Sequence, residues 1–448
     1  MSLLEHGVPR DAFAELSCFR TELYACLTGR RDALFELSDA LLCTDDPVKT
    51  LVELSLEPEH RRGHGALYGG LNCGNLDVAR LRTALARLPL PRTAQGRLVL
   101  AVDVSNWLRP DAHTSPERLF CHTYGRGRGS AQMIPRLALL LRCRPGAGPD
   151  VVDGRAGRAP AAAVGRRDSR HRRPGAGGVP ALYVAGQWQI GDPPVLIVVD
   201  AGYDVTRLAF LLADLPVELL GWMRSDRVPF FPPPPRPPGK RGRKPKHGAE
   251  FTFEDPATHA VPSITTVTDT THCGKAVATA WDRLHPLLTR RSAWADHLAE
   301  LPVIEGTVIH LQVDHLRGDR SPRPIWLWWS ATDATAADVG RLWQAFLRRF
   351  DLEHTFRMFK QTLGWTTPKL REPAAAGRWT WLVIAAHTQL RLARPLAEDL
   401  RRPWERPARQ GRLTPARSAE DFAASTARPP SRPVHRNSVP PARAGPSA

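Results

Sequence analysis

Arg349, Glu353 and Lys360 set a guanidinium, a carboxylate and an ammonium at helical spacing late in a chain of 448 residues. Arg349 lies four residues before Glu353, Lys360 seven after it and Phe346 seven before it. Offsets of four and seven return to one face of an α-helix, so one stripe carries an aromatic ring, two cations and an acid. Such a stripe can present a metal-binding carboxylate to a phosphodiester between positive charges. It is also what an ordinary solvated helix face with an Arg–Glu pair looks like. Two further acids tip the balance. Arg97 to Asp103 is an apolar run closing on an acid, and Pro193 to Asp200 repeats the pattern with Val195-Leu196-Ile197-Val198-Val199 before its Asp. Both read as buried central strands with a functional residue at the tip. Three carboxylates in one cleft repel one another and call for a hard cation, for which oxygen ligands suit Mg²⁺ or Mn²⁺. Two such ions can activate a water or a 3′-hydroxyl on one side and stabilise the leaving oxygen on the other. Arg349 and Lys360 then hold flanking phosphates or developing charge.

The elements that must position these residues can be read along the chain. Residues 1–92 read as an all-α domain: Phe13, Leu16, Phe19, Leu23 and Leu27 keep helical spacing, Leu34, Leu37 and Leu41 repeat it, and Pro89 and Pro91 stop a third helix. It is a candidate for DNA binding. An α/β core follows from residue 95 to 228, with the two acid-ending strands, a helix over 205–213 and another strand over 215–223. Residues 229–332 read as a basic linker and a β-rich insertion, with strands over 263–271, 303–313 and 324–330. The linker holds Lys240, Arg241, Arg243 and Lys244 among prolines, an extended cationic segment that suits a phosphate backbone. Residues 333–400 return to the core with a helix over 338–363 and another over 378–392, and residues 401–448 read as a disordered tail.

The composition agrees with a polyanionic partner. Lys and Arg total 62 against 45 Asp and Glu, giving a net charge of +17. Seven cysteines form no Cys-x-x-Cys pair, so neither a zinc site nor a disulfide framework is indicated. No secretory leader and no apolar run of spanning length is evident, and a cytoplasmic, nucleoid-associated setting is expected. One stretch does not fit. From Arg136 to Gly178 the chain collapses into Arg, Ala, Gly and Pro, with too little apolar surface to offset its ordering entropy. One reading is an arginine-rich nucleic-acid tail; the favoured hypothesis is that residues 136–183 are translated in a shifted reading frame, which sequencing the coding DNA decides.

Taken together, these residues carry a resemblance. The chain resembles an insertion-sequence DDE transposase with a ribonuclease-H-like catalytic core. The first acid of that family is matched by Asp103, the second by Asp200-Ala201-Gly202-Tyr203, and the Tyr-x2-Arg-x3-Glu-x6-Lys signature by Phe346, Arg349, Glu353 and Lys360. Phe346 replaces the tyrosine and lacks its hydroxyl. The resemblance implies a mixed sheet flanked by helices, and Asp103, Asp200 and Glu353 as catalytic and metal-binding residues with two Mg²⁺ or Mn²⁺ ions. It also implies metal-dependent cleavage at transposon ends and strand transfer into target DNA, with the protein paired as a homodimer on double-stranded DNA. It makes Phe346, Arg349, Lys360 and Tyr203 candidates for DNA contact. Trp281 and the tryptophans of Trp326-Leu327-Trp328-Trp329 are candidates for stacking a displaced base. In this core, the first acid strand is followed by two antiparallel strands and a helix. Leu119 to Thr123 serves as the second strand, whereas the third strand and the helix fall in the anomalous stretch. The copy is therefore expected to be poorly folded or inactive. A non-catalytic DNA-binding relic and a ribonuclease-H-like nuclease without strand transfer remain the other readings.

Overall fold

A computed structural model describes residues 10–44, 47–63, 65–108, 119–123, 132–143, 161–166, 182–239, 242–270, 273–315 and 322–397. Lys240, Arg241, most of the Arg-Ala-Gly-Pro stretch and the C-terminal tail lie outside the described residues. The architecture is the mixed α/β fold expected from the strand and helix pattern.

Among the described residues, five helices come first: α1 (Arg10–Cys26), α2 (Arg31–Cys43), α3 (Leu51–Leu54), α4 (Gly65–Cys73) and α5 (Val78–Arg87). A two-stranded ribbon of β1 (Leu27–Gly29) and β2 (Asn75–Leu76) ties α1 to the start of α5. Asp77 caps α5 by accepting from the Arg80 amide at 2.9 Å. These helices do not close a core of their own. Leu23, Leu34, Leu41, Leu71 and Leu81 pack with Trp379, Leu382 and Ala386 of the last helix in one buried cluster. Arg20 bridges the same elements, donating to Gln389 Oε1 at 2.6 Å and pairing with Asp39 at 2.8 Å.

The sheet is built from β3 (Val99–Leu108), β4 (Leu119–Thr123), β5 (Gln132–Cys143), β6 (Ala161–Arg166), β7 (Val195–Val199) and β8 (Val217–Trp222). To these it adds β9 (Pro229–Phe230), β10 (Ile264–Thr270), β11 (Gly274–Pro286), β12 (Gly306–Val313) and β13 (Ile325–Trp329). Its main path runs β10-β11-β12-β13-β8-β7-β3-β5-β4. Among the described strands, β3, β7 and β8 run parallel to one another and the neighbours on either side are antiparallel. The β-rich insertion thus extends the same sheet, because β13 pairs directly with β8. All five residues of β7 are buried, as a central parallel strand requires.

One difference from the sequence expectations concerns β3. The strand does not end at Asp103 but continues to Leu108, because β5 pairs with it from Ala101 to Leu108. The place beside β3 is taken by β5, and Leu119 to Thr123 pairs outside it as β4. The run Leu137-Ala138-Leu139-Leu140-Leu141 is apolar enough for an inner strand, although it opens the stretch whose composition looked anomalous.

Helices cover both faces. On one side α6 (Val205–Leu211) packs Val205 and Leu208 against Val195, Ile197 and Val199. On the other, α7 (Ala336–Arg348) packs Val339, Leu342, Trp343 and Phe346 against Leu196, Val198 and Leu220. Thr335 and Asp338 form a reciprocal capping box at the start of α7. The chain continues as α8 (Phe350–Gln361) and α9 (Pro373–Ala393). The helix expected over 338–363 is divided at Arg349, where Arg349 N donates to Phe346 O and Leu352 N to Arg349 O, both at 3.0 Å. These i to i−3 bonds tighten the turn and shift the face on which the following residues lie.

Candidate active site

Strand parity brings the first two acids together. Leu98, just before β3, and Leu100 and Val102 within it face the α6 side of the sheet. Side chains alternate along a strand, so Asp103 lies on the opposite side, that of α7 and α8. In β7, Leu196 and Val198 meet α7, which puts Asp200 on that side too. The parallel register pairs Val102 with Val199, so Asp103 and Asp200 are the next residues on neighbouring strands. Asp200 is half-buried and held by its own turn: Oδ1 accepts from Gly202 N at 3.0 Å, and Tyr203 N donates to Asp200 O at 3.2 Å. A Cβ on residue 202 would sit 3.1 Å from Asp200 Oδ1, so this turn favours glycine. Asp204 is the cap of α6, accepting from Arg207 N at 3.0 Å.

Arg349 reaches from the helix break into this corner. Its side chain is 5% exposed, with Nη1 at 3.7 Å from Asp103 Oδ2 and Nη2 at 3.9 Å from Glu353 Oε1. The rings of Phe350 and Phe346 flank the guanidinium at 5.0 and 5.6 Å. The buried Arg349 Nε has no hydrogen-bond partner among the described residues. Asp103 is 18% exposed, while Glu353 is 55% exposed at the rim. Lys360 stands half-buried on the same helix; burial lowers its pKa, and the Asp103 carboxylate opposes that shift. Asp103, Arg349, Glu353 and Lys360 therefore form one connected group of charges, with Asp200 on the adjoining strand.

The donors are all carboxylate oxygens, the kind a hard divalent cation takes. Their arrangement is a different matter. Among the described residues no three His, Cys, Asp or Glu side chains are grouped as a metal-ion site. The Arg349 guanidinium stands where it touches both Asp103 and Glu353.

The other sequence candidates are dispersed. Phe346 is buried in the core beneath the sheet, where it supports Arg349 and does not reach solvent. Tyr203 is half-buried beside Asp200, with its hydroxyl enclosed. Arg243 and Lys244 are exposed on the linker, and Arg243 pairs with Glu300 at 3.0 Å. Trp281, Trp326, Trp328 and Trp329 are all buried, and so is Trp365. As core residues they present no free ring face for a base. Sequence reading passed over Arg224, Arg227 and Arg291, which line a cleft beside Tyr203. The available signal was the position of Arg224 and Arg227 just after β8, at the carboxyl end of a parallel strand, where ligands gather in α/β sheets.

The family model described as DDE superfamily endonuclease matches residues 22–286, more than half of the 448 residues. The match includes Asp103 and Asp200 and stops before Glu353. No curated protein matches the chain. No described helix is long and apolar enough to cross a membrane.

Proposed function

Because the chain belongs to the DDE superfamily endonucleases, we propose that it is a transposase that cuts DNA at transposon ends and joins the freed strand to target DNA. The observation that supports this most is the meeting of Asp103 and Asp200 on one sheet face with the Arg349–Glu353 turn above them. Endonucleases of this superfamily act on DNA and use divalent metal ions, typically Mg²⁺. Asp103, Asp200 and Glu353 are the residues that would hold such ions. When bound, a divalent ion supplies Lewis-acid stabilisation and an activated attacking oxygen. The protein contributes the rest. The strand pair fixes two carboxylates on rigid backbone, and the short α7–α8 turn brings the third. Arg349 and Lys360 place positive charge beside the position where a phosphodiester gains negative charge. Synapsis of two ends by a homodimer belongs to the same reading, as do Tyr203, Arg243 and Lys244 as DNA contacts.

The experiment is a cleavage assay with purified protein on duplexes carrying the element's terminal inverted repeats. The expected result is Mg²⁺-dependent nicking that Asp103→Ala abolishes. Nicked products without joined strands identify a nuclease that does not transfer. DNA binding without any cleavage identifies a relic, the reading supported by the composition of residues 136–178.

A further inference from the structure

Beside Asp200 lies a cleft of about 110 Å³ that the acids do not use. Its floor is the turn after β7 (Ala201, Tyr203) and the start of α6, and its rim carries Arg224, Arg227 and Arg291. The parallel register of β7 and β8 pairs Val199 with Gly221, so the loop after β8 emerges at the same sheet edge as Asp200. All three arginines are exposed. Among the described residues the ion pair of Arg224 is with Asp226, at 3.5 Å between two side chains that are both largely in solvent, a pairing too weakly held to compete with a phosphodiester. Asp204, the acid in the lining, is occupied by capping α6. The wall behind is buried: Trp294, 2% exposed, lines the cleft, and Arg207, stacked on it at 4.7 Å, is held by Asp296 at 2.9 Å. A concave site with three exposed cations selects an anion.

We propose that this cleft is a phosphate subsite for the DNA strand flanking the carboxylates, with Arg224, Arg227 and Arg291 as its binding cations. The proposal rests on the endonuclease reading for the identity of its ligand and is independent of whether cleavage occurs. Double-stranded and single-stranded DNA offer the same backbone phosphates, so both serve as probes. Counterion release makes binding through phosphates fall with salt, by roughly 0.9 in logarithmic slope per duplex phosphate contacted and roughly 0.7 per single-strand phosphate.

The test is fluorescence anisotropy of labelled duplex and single-stranded oligonucleotides over a range of salt, in chelator, on the full chain. The double variant Arg224→Ala/Arg227→Ala should lower the salt slope by about two contacts' worth and weaken binding at low salt by on the order of ten-fold or more. Arg224→Lys/Arg227→Lys should keep the slope, and the exposed Arg323→Ala, just before β13, should leave both quantities at wild-type values. A larger slope change on one probe than the other shows which form of the strand occupies the cleft. A folded double-alanine variant with wild-type slope and affinity on both probes overturns the subsite, as does a wild-type chain that binds neither. Binding that depends on the arginines in a chain that never cleaves sinks the endonuclease reading and leaves the subsite standing.

Discussion

Arg349 touches two carboxylates and two rings at once, and its burial makes those contacts matter. A positive charge about 4 Å from an acid is worth ~1 kcal/mol in water and ~4 kcal/mol at a near-surface dielectric. A divalent ion approaching Asp103 and Glu353 therefore meets a competitor of the same sign. Arg349→Ala should tighten Mn²⁺ binding by on the order of ten-fold, read by electron paramagnetic resonance titration, while lowering cleavage. Unchanged Mn²⁺ affinity in a folded variant would mean that the guanidinium does not compete. Spacings of four and seven residues put Arg349, Glu353 and Lys360 on one expected helix face, but gave no sign of the break at Arg349. The break arises from backbone bonds whose partners shift from i−4 to i−3, which side-chain spacing does not report.

At the scale of elements, α6 packs tightly on β8. A Cβ on residue 221 would fall 2.7 Å from Val205 Cβ, so Gly221 lets the first turn of the helix sit on the strand. Gly221→Ala should cost roughly 1–3 kcal/mol through overpacking, seen as a lower chemical-denaturation midpoint. The extended sheet also has a pH limit. Burial lowers the pKa of His285, as does the charge of His247, whose Nδ1 lies 2.9 Å from His285 Nε2; His310 is lowered by burial and by His259. The unfolded histidines accept protons that the folded ones refuse, so stability should fall as pH drops below the ordinary value of 6.5. A melting temperature that declines toward about pH 5.5, and declines less in His285→Gln or His310→Gln, is the expected record.

These elements also show how far the chain could be read. Strands with long branched side chains, such as Val195 to Val199, announced themselves through apolar runs. β11 did not. Its buried side is Ala276, Ala278 and Ala280, too small to stand out, and its register shifts between Trp281 and Leu284 at the left-handed Arg283 (φ 58°). Pairing was harder still. Nothing local in Leu119 to Thr123 says that the strand lies outside β5, because strand order is settled by non-local backbone bonds.

For the whole molecule, the first and last helices stand or fall together. Fifteen residues of α9 are buried, among them His387, Thr388 and Gln389, and the cover comes largely from α1, α2 and α4. Removing residues 1–92 would uncover an apolar helix on all sides. The truncated protein should be insoluble or rapidly digested in limited proteolysis, while a stable, soluble fragment would contradict the shared core.

The guanidinium between Asp103 and Glu353 has a consequence for folding as well. Where acids face one another without a counter-ion, the native state leans on metal and unravels when the metal is stripped. Here the chain brings its own counter-ion, so assembly of the acid corner does not wait for an inorganic one. A strong chelator should silence the chemistry and leave a folded protein, the melting temperature falling by no more than the ion's own binding free energy accounts for.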